Sequence, residues 1–434
     1  MKPLSATALN KSHADPPYSL QPITPRVPPF QIAAAGTIAL AVAMGIGRFA
    51  FTPLLPIMLQ DGTTDLGHAS MLATANYLGY LLGAVLCMVL PRVVTGAMMI
   101  RIGLAATVLV TAGMALPWAT TWPALRFAAG IASAMVFVFS SGWCLAHLAH
   151  QDKAALGAII FTGPGLGIAL SGLVATLLVG LHQPAWCGWA VFAALALALS
   201  ACCWLVFRGP DLATSKREAS KQEASAGTAS PARQAARPHG SHAEMAFFSL
   251  AYGIAGFGYI ITATYLPVIA RTALPGSIWL DLFWPILGLG VVIGALVAAR
   301  IPRRIDPRDL LIACYAIQAF GVVLCLILPS LIGFILSSFL VGLPFTALSF
   351  FAMQDVRRLR PEHAARFMGL LTATYGIGQI AGPPLAAHLL ATGASQAAGF
   401  AHALGTASTA LAIGAGLYLV MRLCWPINKR SENK

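Results

Sequence analysis

The chain has 434 residues, 58% of them apolar and only 9% charged, with a mean hydropathy of +0.77. Soluble domains carry about 25% charged residues, so this composition excludes a soluble globular protein. The net charge of +13 could suit a polyanion, but its distribution along the chain argues for topology and against a nucleic-acid partner.

The first 30 residues hold seven prolines and lack a charged start followed by an apolar run, so they read as a disordered N-terminal tail (1–30) rather than a signal peptide. Beyond them, apolar segments of about 20 residues recur, each long enough to cross a bilayer as a helix. Twelve are predicted, at roughly 31–59, 67–90, 94–116, 121–147, 155–180, 186–207, 245–270, 279–300, 308–328, 331–354, 366–390 and 398–424. Residues 209–243 interrupt the series with Ala, Ser, Gln and charge and almost no large apolar side chains, the composition of a flexible linker. The expected organisation is an N-terminal six-helix bundle (31–208), the linker, a C-terminal six-helix bundle (244–425) and a short tail (426–434).

Lys and Arg gather in the N-terminal tail, the even-numbered connections and the C-terminal tail, with Arg271 in an odd-numbered connection and Arg48 and Arg126 inside helices. By the positive-inside rule both termini are cytoplasmic. The fold class is therefore an all-α, multi-pass membrane protein of a bacterial-type inner membrane. The eight cysteines (87, 144, 187, 202, 203, 314, 325, 424) lie in apolar helices without metal-ligand spacing, which predicts small buried hydrophobes and no metal site.

The halves repeat each other at an offset of 211. Gly45 and Gly47 followed by Leu55-Pro56 return as Gly256 and Gly258 followed by Leu266-Pro267, and Gly79 and Gly83-Ala84 return as Gly290 and Gly294-Ala295. A six-plus-six parallel repeat is the organisation of a two-bundle carrier with its site at the bilayer midplane. Glycines permit close helix approach, and prolines at 53, 56, 164, 267, 285, 344, 383 and 384 free backbone carbonyls and kink helices.

These residues resemble the major facilitator superfamily. The run Gly45-Ile46-Gly47-Arg48-Phe49-Ala50-Phe51-Thr52-Pro53-Leu54-Leu55-Pro56 looks like the signature of its YbfB/YjiJ-type subgroup. Arg126-Phe127-Ala128-Ala129-Gly130 resembles the superfamily's helix 4 element, and Gly163-Pro164-Gly165-Leu166-Gly167 its helix 5 Gly-Pro element. Leu90-Pro91-Arg92-Val93-Val94-Thr95-Gly96 departs from the pattern, lacking the Asp and most basic residues usual between helices 2 and 3. The resemblance implies the major facilitator fold, a secondary transporter working by alternating access, and hinges at Gly45, Gly47, Pro56, Gly163, Pro164, Gly167, Pro267, Gly382 and Pro383.

Arg48 is the most informative residue. An arginine at mid-bilayer costs about 2.5–3.5 kcal/mol on insertion scales, so it either pins its helix through backbone carbonyls or receives an anionic group of a solute. Arg126, about five residues into helix 4, either joins it or snorkels to the outer interface. The 14 acidic residues fall in tails, loops or helix ends, leaving a cavity with positive charge alone and favouring a small organic anion over a cation. Candidate binding residues are Arg48, Arg126, Asn76, Tyr259, Thr262, Tyr375 and Gln379, with Tyr80, Tyr265 and Gln318 as further polar groups. Tyr259 occupies the repeat position of Arg48. His147, His150, His388 and His402 are the titratable groups for proton coupling, and a sodium ion is the other coupling candidate. No P-loop, H-E-x-x-H or Gly-x-Ser-x-Gly occurs, so neither an enzyme nor a cofactor is expected. The partners expected are a small-molecule substrate and the lipid bilayer, for a monomer. Competing readings are a broad exporter of drugs or sugars with Arg48 structural, and a membrane solute sensor.

Overall fold

A computed structural model describes residues 27–89, 95–208, 241–274, 282–302, 304–360 and 364–426. Most of the expected tails, nearly all of the 209–243 linker and residues 90–94 lie outside this range. Among the described residues the chain is helical, with no strand.

Twelve helical spans follow in chain order: α1 (Pro29–Leu40, a π-helical stretch Ala41–Arg48, then Phe51–Gln60), α2 (Leu66–Val89), α3 (Gly96–Gly113), α4 (Trp122–His150), α5 (3-10 Ala154–Thr162, then α-helical Gly163–Gly180) and α6 (Ala185–Trp204). The second set is α7 (His242–Ala273), α8 (Phe283–Arg300), α9 (Pro307–Ile327), α10 (Leu331–Gly342, then Phe345–Leu359), α11 (Ala364–Thr392) and α12 (Gln396–Cys424). Eleven are apolar and long enough to cross a bilayer, and α11 matches them in length at 29 residues. Arg271, expected in a connection, sits in the last turn of α7.

Helix starts are capped by local chemistry. Thr95, Ser241, Asp306, Ser330 and Ser395 each accept a backbone N–H of the first turn through a side-chain oxygen. Ser241 and Glu244 form a reciprocal capping box. Inside the bundle, buried hydroxyls such as Thr107, Ser133, Ser249 and Ser338 turn back to their own helix carbonyls, the cheapest partner where water is absent.

Glycine positions decide how closely helices cross. A Cβ on Gly167 of α5 would lie 2.4 Å from the Ala41 carbonyl oxygen of α1, and one on Gly45 would lie 2.2 Å from Gly167 Cα. The crossing of α7 and α11 uses the positions 211 residues on, where a Cβ on Gly256 would lie 2.2 Å from the Tyr375 carbonyl oxygen and one on Gly378 2.1 Å from the Gly253 carbonyl oxygen. The first six helices meet the last six chiefly along α2 with α11 and α5 with α8. On the α5–α8 side, Gly165 abuts Gly288 and Gly172 abuts Pro285, so lipid-excluded backbone contact supplies the cohesion that a hydrophobic drive cannot.

The face of the molecule at which the even-numbered helices end is here termed the basic face. Near the basic face sits a group that the sequence reading left as ordinary helix ends. Arg308, 1% exposed, pairs with Glu244 of α7 and with Asp355 of α10 at 3.4 Å. Its Nη1 also donates to the Met421 and Trp425 carbonyls at the end of α12. One guanidinium thereby ties four helices together. Arg358 adds a 2.5 Å bond to Asp355.

Removing Arg308 strands the buried Glu244 carboxylate and leaves Asp355 to Arg358 alone, so Arg308→Met is expected to cost about 3–5 kcal/mol, read as a large drop in unfolding temperature. Neutralising Glu244 and Asp355 in the same chain should recover much of it. Gly167→Val should destabilise by about 1–3 kcal/mol or more through overpacking, measured in the same way.

Candidate functional site

The site begins with a defect in α1. Pro53 lacks an N–H and its ring crowds the carbonyl four residues back, which is that of Phe49. The helix yields just before it: Phe49 N–H reaches back five residues to the Met44 carbonyl (3.1 Å), the wide π spacing, and Thr52 N–H goes to the Phe49 carbonyl (3.1 Å). Thr52 would otherwise have served the Arg48 carbonyl. That orphan is taken by Arg126, whose Nη2 donates to Arg48 O (3.0 Å) and whose Nη1 donates to Gly47 O (3.2 Å).

Arg48 closes the π-helical stretch and projects between the two sets of helices, 3% exposed. Its Nη2 donates to Gln379 Oε1 of α11 at 2.6 Å, and Gln379 Nε2 donates to the Tyr259 hydroxyl of α7. The guanidinium lies 3.8 Å from the ring centroid of Tyr80 and 5.3–5.4 Å from those of Tyr77 and Phe49, close enough for attraction by the ring faces. Its Nε, like that of Arg126, has no partner among the described residues. Among the described residues no carboxylate pairs with it; the buried acids Glu244 and Asp355 are held by Arg308.

An aromatic train extends the cluster: Tyr259 stacks on Tyr375 (5.8 Å, 20°), which adjoins Tyr252 (5.0 Å), and Tyr259 meets Phe345 edge-on (5.0 Å). Tyr77 shares a 3.1 Å hydrogen bond with Thr264, and Tyr252 donates to Ser349 (2.8 Å), so each links two helices. Arg48, Tyr259 and Gln379 are buried, whereas Tyr80 and Tyr375 keep part of their surface. Residues step about 100° round a helix, which turns Tyr80 away from exposed Leu78 and Leu82, and Tyr375 away from exposed Ile377. Their free surface opens into the bundle. The arrangement is a positive group, an amide and π faces around one point at mid-helix depth, suited to a small polar or anionic solute.

A family model described as the uncharacterised MFS-type transporter YbfB matches residues 40–419. The chain belongs to that family. Among solved structures, a mutant of the nucleoside transporter NupG aligns with a TM-score of 0.66 at 14% identity, covering 91% of this chain and 98% of that one. A second NupG structure aligns with a TM-score of 0.63 at 14% identity, covering 92% and 98%. At that identity the likeness carries the fold alone. No curated protein matches the chain. The chain is thus a multi-pass membrane protein of a secondary-transporter family with the major facilitator fold.

Of the residues picked from the sequence of this transporter, the structure brings Arg48, Tyr259, Tyr375 and Gln379 together. Arg126, 2% exposed, reaches neither interface, because its guanidinium is spent on the α1 carbonyls. Asn76 donates to the Arg126 carbonyl (2.9 Å), fastening α2 to α4. Thr262 is buried with no partner for its hydroxyl among the described residues. Gln318 bonds the Val341 carbonyl within the second set of helices (3.2 Å). His150, His388 and His402 are exposed near helix ends, and His147 stacks on Trp143 at 3.8 Å. Gly163 and Pro164 mark the change from 3-10 to α-helix in α5, Pro56, Pro267 and Pro383 lie within helices, and Gly382 packs on Ile260.

Sequence reasoning did not single out Tyr77 and Phe49, both against Arg48. Tyr77 lies three residues before Tyr80, hence on one helix face, and Phe49 adjoins Arg48 itself.

Arg126→Leu leaves two buried carbonyls unpaired, at about 1–3 kcal/mol each. The variant should melt earlier even with no ligand present, which a scanning unfolding measurement will show.

Proposed function

We propose that this transporter carries a small organic anion by alternating access, with Arg48 as the anchor. The supporting observation is the contrast between its arginines. Arg126 holds two backbone carbonyls and Arg308 two carboxylates. Among the described residues Arg48 holds a neutral amide and aromatic side chains, at the boundary between the two sets of helices. A carboxylate, sulfonate or phosphate would replace Gln379 on the guanidinium with a charge-assisted, bidentate pair. Arg126, near enough for the two positive charges to feel one another, adds to the attraction.

In this reading Gln379, Tyr259, Tyr375 and Tyr80 line the ligand. The bundles 31–208 and 244–425 rock about the site, joined by the 209–243 linker. Gly45, Gly47, Gly163, Pro164 and Gly167 on one side, and Pro267, Gly382 and Pro383 on the other, absorb the bending. The basic face is cytoplasmic in a bacterial-type inner membrane, with both termini there. A proton carried by a weakly acidic substrate, or a sodium ion, completes the coupling.

A second reading has its own support. Arg48 is already bonded to Gln379 and blanketed by rings, and an amide beside tyrosines suits a neutral solute of the nucleoside or sugar kind, with Arg48 structural.

Matched anionic, neutral and cationic metabolites should be screened for thermal stabilisation, then for flux into proteoliposomes, on the wild type and on Arg48→Gln. The expected result is stabilisation and flux by anions, weakened about 10- to 150-fold in a variant that still folds, the loss of one charge-assisted interaction of about 1.5–3 kcal/mol. Neutral ligands whose effect survives the substitution would overturn the anion reading. Stabilisation without flux would point to a sensor.

A further inference from the structure

Away from the central site, α3 and α6 leave a groove of about 450 Å³ between them, within the size range of small-molecule sites. Ala105, Val108 and Leu109 form one wall and Leu197, Ala201 and Leu205 the other. The alanines supply the depth, since any larger side chain at 105 or 201 would fill it. Leu109, Leu197 and Leu205 are exposed, so the groove opens sideways into the hydrocarbon. Every membrane-facing groove meets lipid; three features make this one selective.

First, the end at the basic face carries two guanidinium groups. Arg101 is fixed there, donating through Nε (3.2 Å) and Nη2 (2.9 Å) to the Trp204 carbonyl and lying 5.4 Å from the Trp204 ring centroid. Arg208 is exposed one turn beyond, close enough to repel it. Second, neither α3 nor α6 contains an acidic residue, so this positive pair has no neutralising group on the helices that form the groove. Third, Ser200 lines the groove with a hydroxyl that is buried and lacks a partner among the described residues, in a residue only 3% exposed. Ser200 lies one turn deeper than Trp204, between the charged end and the apolar walls. Charge, then a lone hydroxyl, then hydrocarbon is the order of groups along a glycerophospholipid: phosphate, ester, acyl chain. Basic pockets between transmembrane helices suit acidic headgroups on those grounds.

We propose that the α3–α6 groove binds one acidic glycerophospholipid of the leaflet at the basic face. An acyl chain lies along the alanine-lined trough, an ester oxygen accepts from Ser200, and the phosphate bridges Arg101 and Arg208. The lipid staples α3 to α6 at the rim of the bundle. This site is independent of the solute carried at Arg48.

The full chain, purified in a neutral detergent, should be exchanged with phosphatidylglycerol or phosphatidylcholine and followed by native mass spectrometry and unfolding temperature. Wild type should retain one phosphatidylglycerol at least tenfold better than phosphatidylcholine and melt several degrees higher with it. Arg101→Gln, Arg208→Gln and the groove-filling Ala201→Trp should each abolish the preference. Inorganic phosphate should give no stabilisation, because it lacks the chain. Equal retention of the two lipids would overturn the proposal, as would a preference unchanged in the arginine variants. If Ala201→Trp fails to fold, Arg208→Gln decides, since Arg208 makes no side-chain bond within the described protein. Stabilisation by phosphate alone would mark an anion site and refute the lipid.

Discussion

A helix broken in the membrane must find partners for its freed carbonyls or lose stability, and the core of this transporter is arranged around that requirement. Pro53 breaks α1 at Phe49, and Arg126 reaches across from α4 to bond the two carbonyls exposed by the break. The unwinding cannot heal while the proline is present, and it cannot stand open without the arginine. The placement of Arg48 depends on both. As the last residue of the π-helical stretch, its side chain leaves α1 where the backbone changes direction. A regular helix would aim it differently. The crossing of α1 over α5 at Gly45 and Gly167 fits the same stretch, with no room for a Cβ on either side.

Three buried arginines thus meet three different environments. Backbone carbonyls hold Arg126, carboxylates hold Arg308, and an amide with aromatic rings surrounds Arg48. The first two arrangements fasten helices permanently, because breaking them strands polar groups in an apolar medium. The third joins α1 to α11, and through Gln379 to Tyr259 of α7, with bonds that another acceptor can replace. In a carrier, interactions between the moving parts have to be exchangeable while those inside each part do not. The bonding around the arginines follows that division.

Hydropathy alone made the twelve helices legible, because spanning segments must be long and apolar. The 211-residue repeat showed that two sets of six are related, and glycines at repeat positions do make the corresponding α1–α5 and α7–α11 crossings. Arg48 stood out because an isolated charge in such a helix is expensive. Other features were hidden for physical reasons. The effect of Pro53 depends on which neighbour rescues the freed carbonyls, and Arg126 is 78 residues from Arg48 in the chain. Glu244 and Asp355 looked like solvated helix ends because α7 and α10 run further than hydropathy indicates, through His242 at one start and Leu359 at the other end. Tyr77 looked like any aromatic of an apolar helix; only folding puts its ring against a guanidinium.

The uncompensated charge at the centre also has an electrical consequence. An empty site presents Arg48 and Arg126 as two positive charges, and with the proposed monovalent anion bound it would present one net charge. A charge crossing the full field of a membrane is worth about 2.3 kcal/mol per 100 mV, and a group displaced through part of the field feels part of that. Loaded and unloaded forms of such a carrier therefore respond unequally to voltage, and the potential across the membrane biases one half of the cycle more than the other.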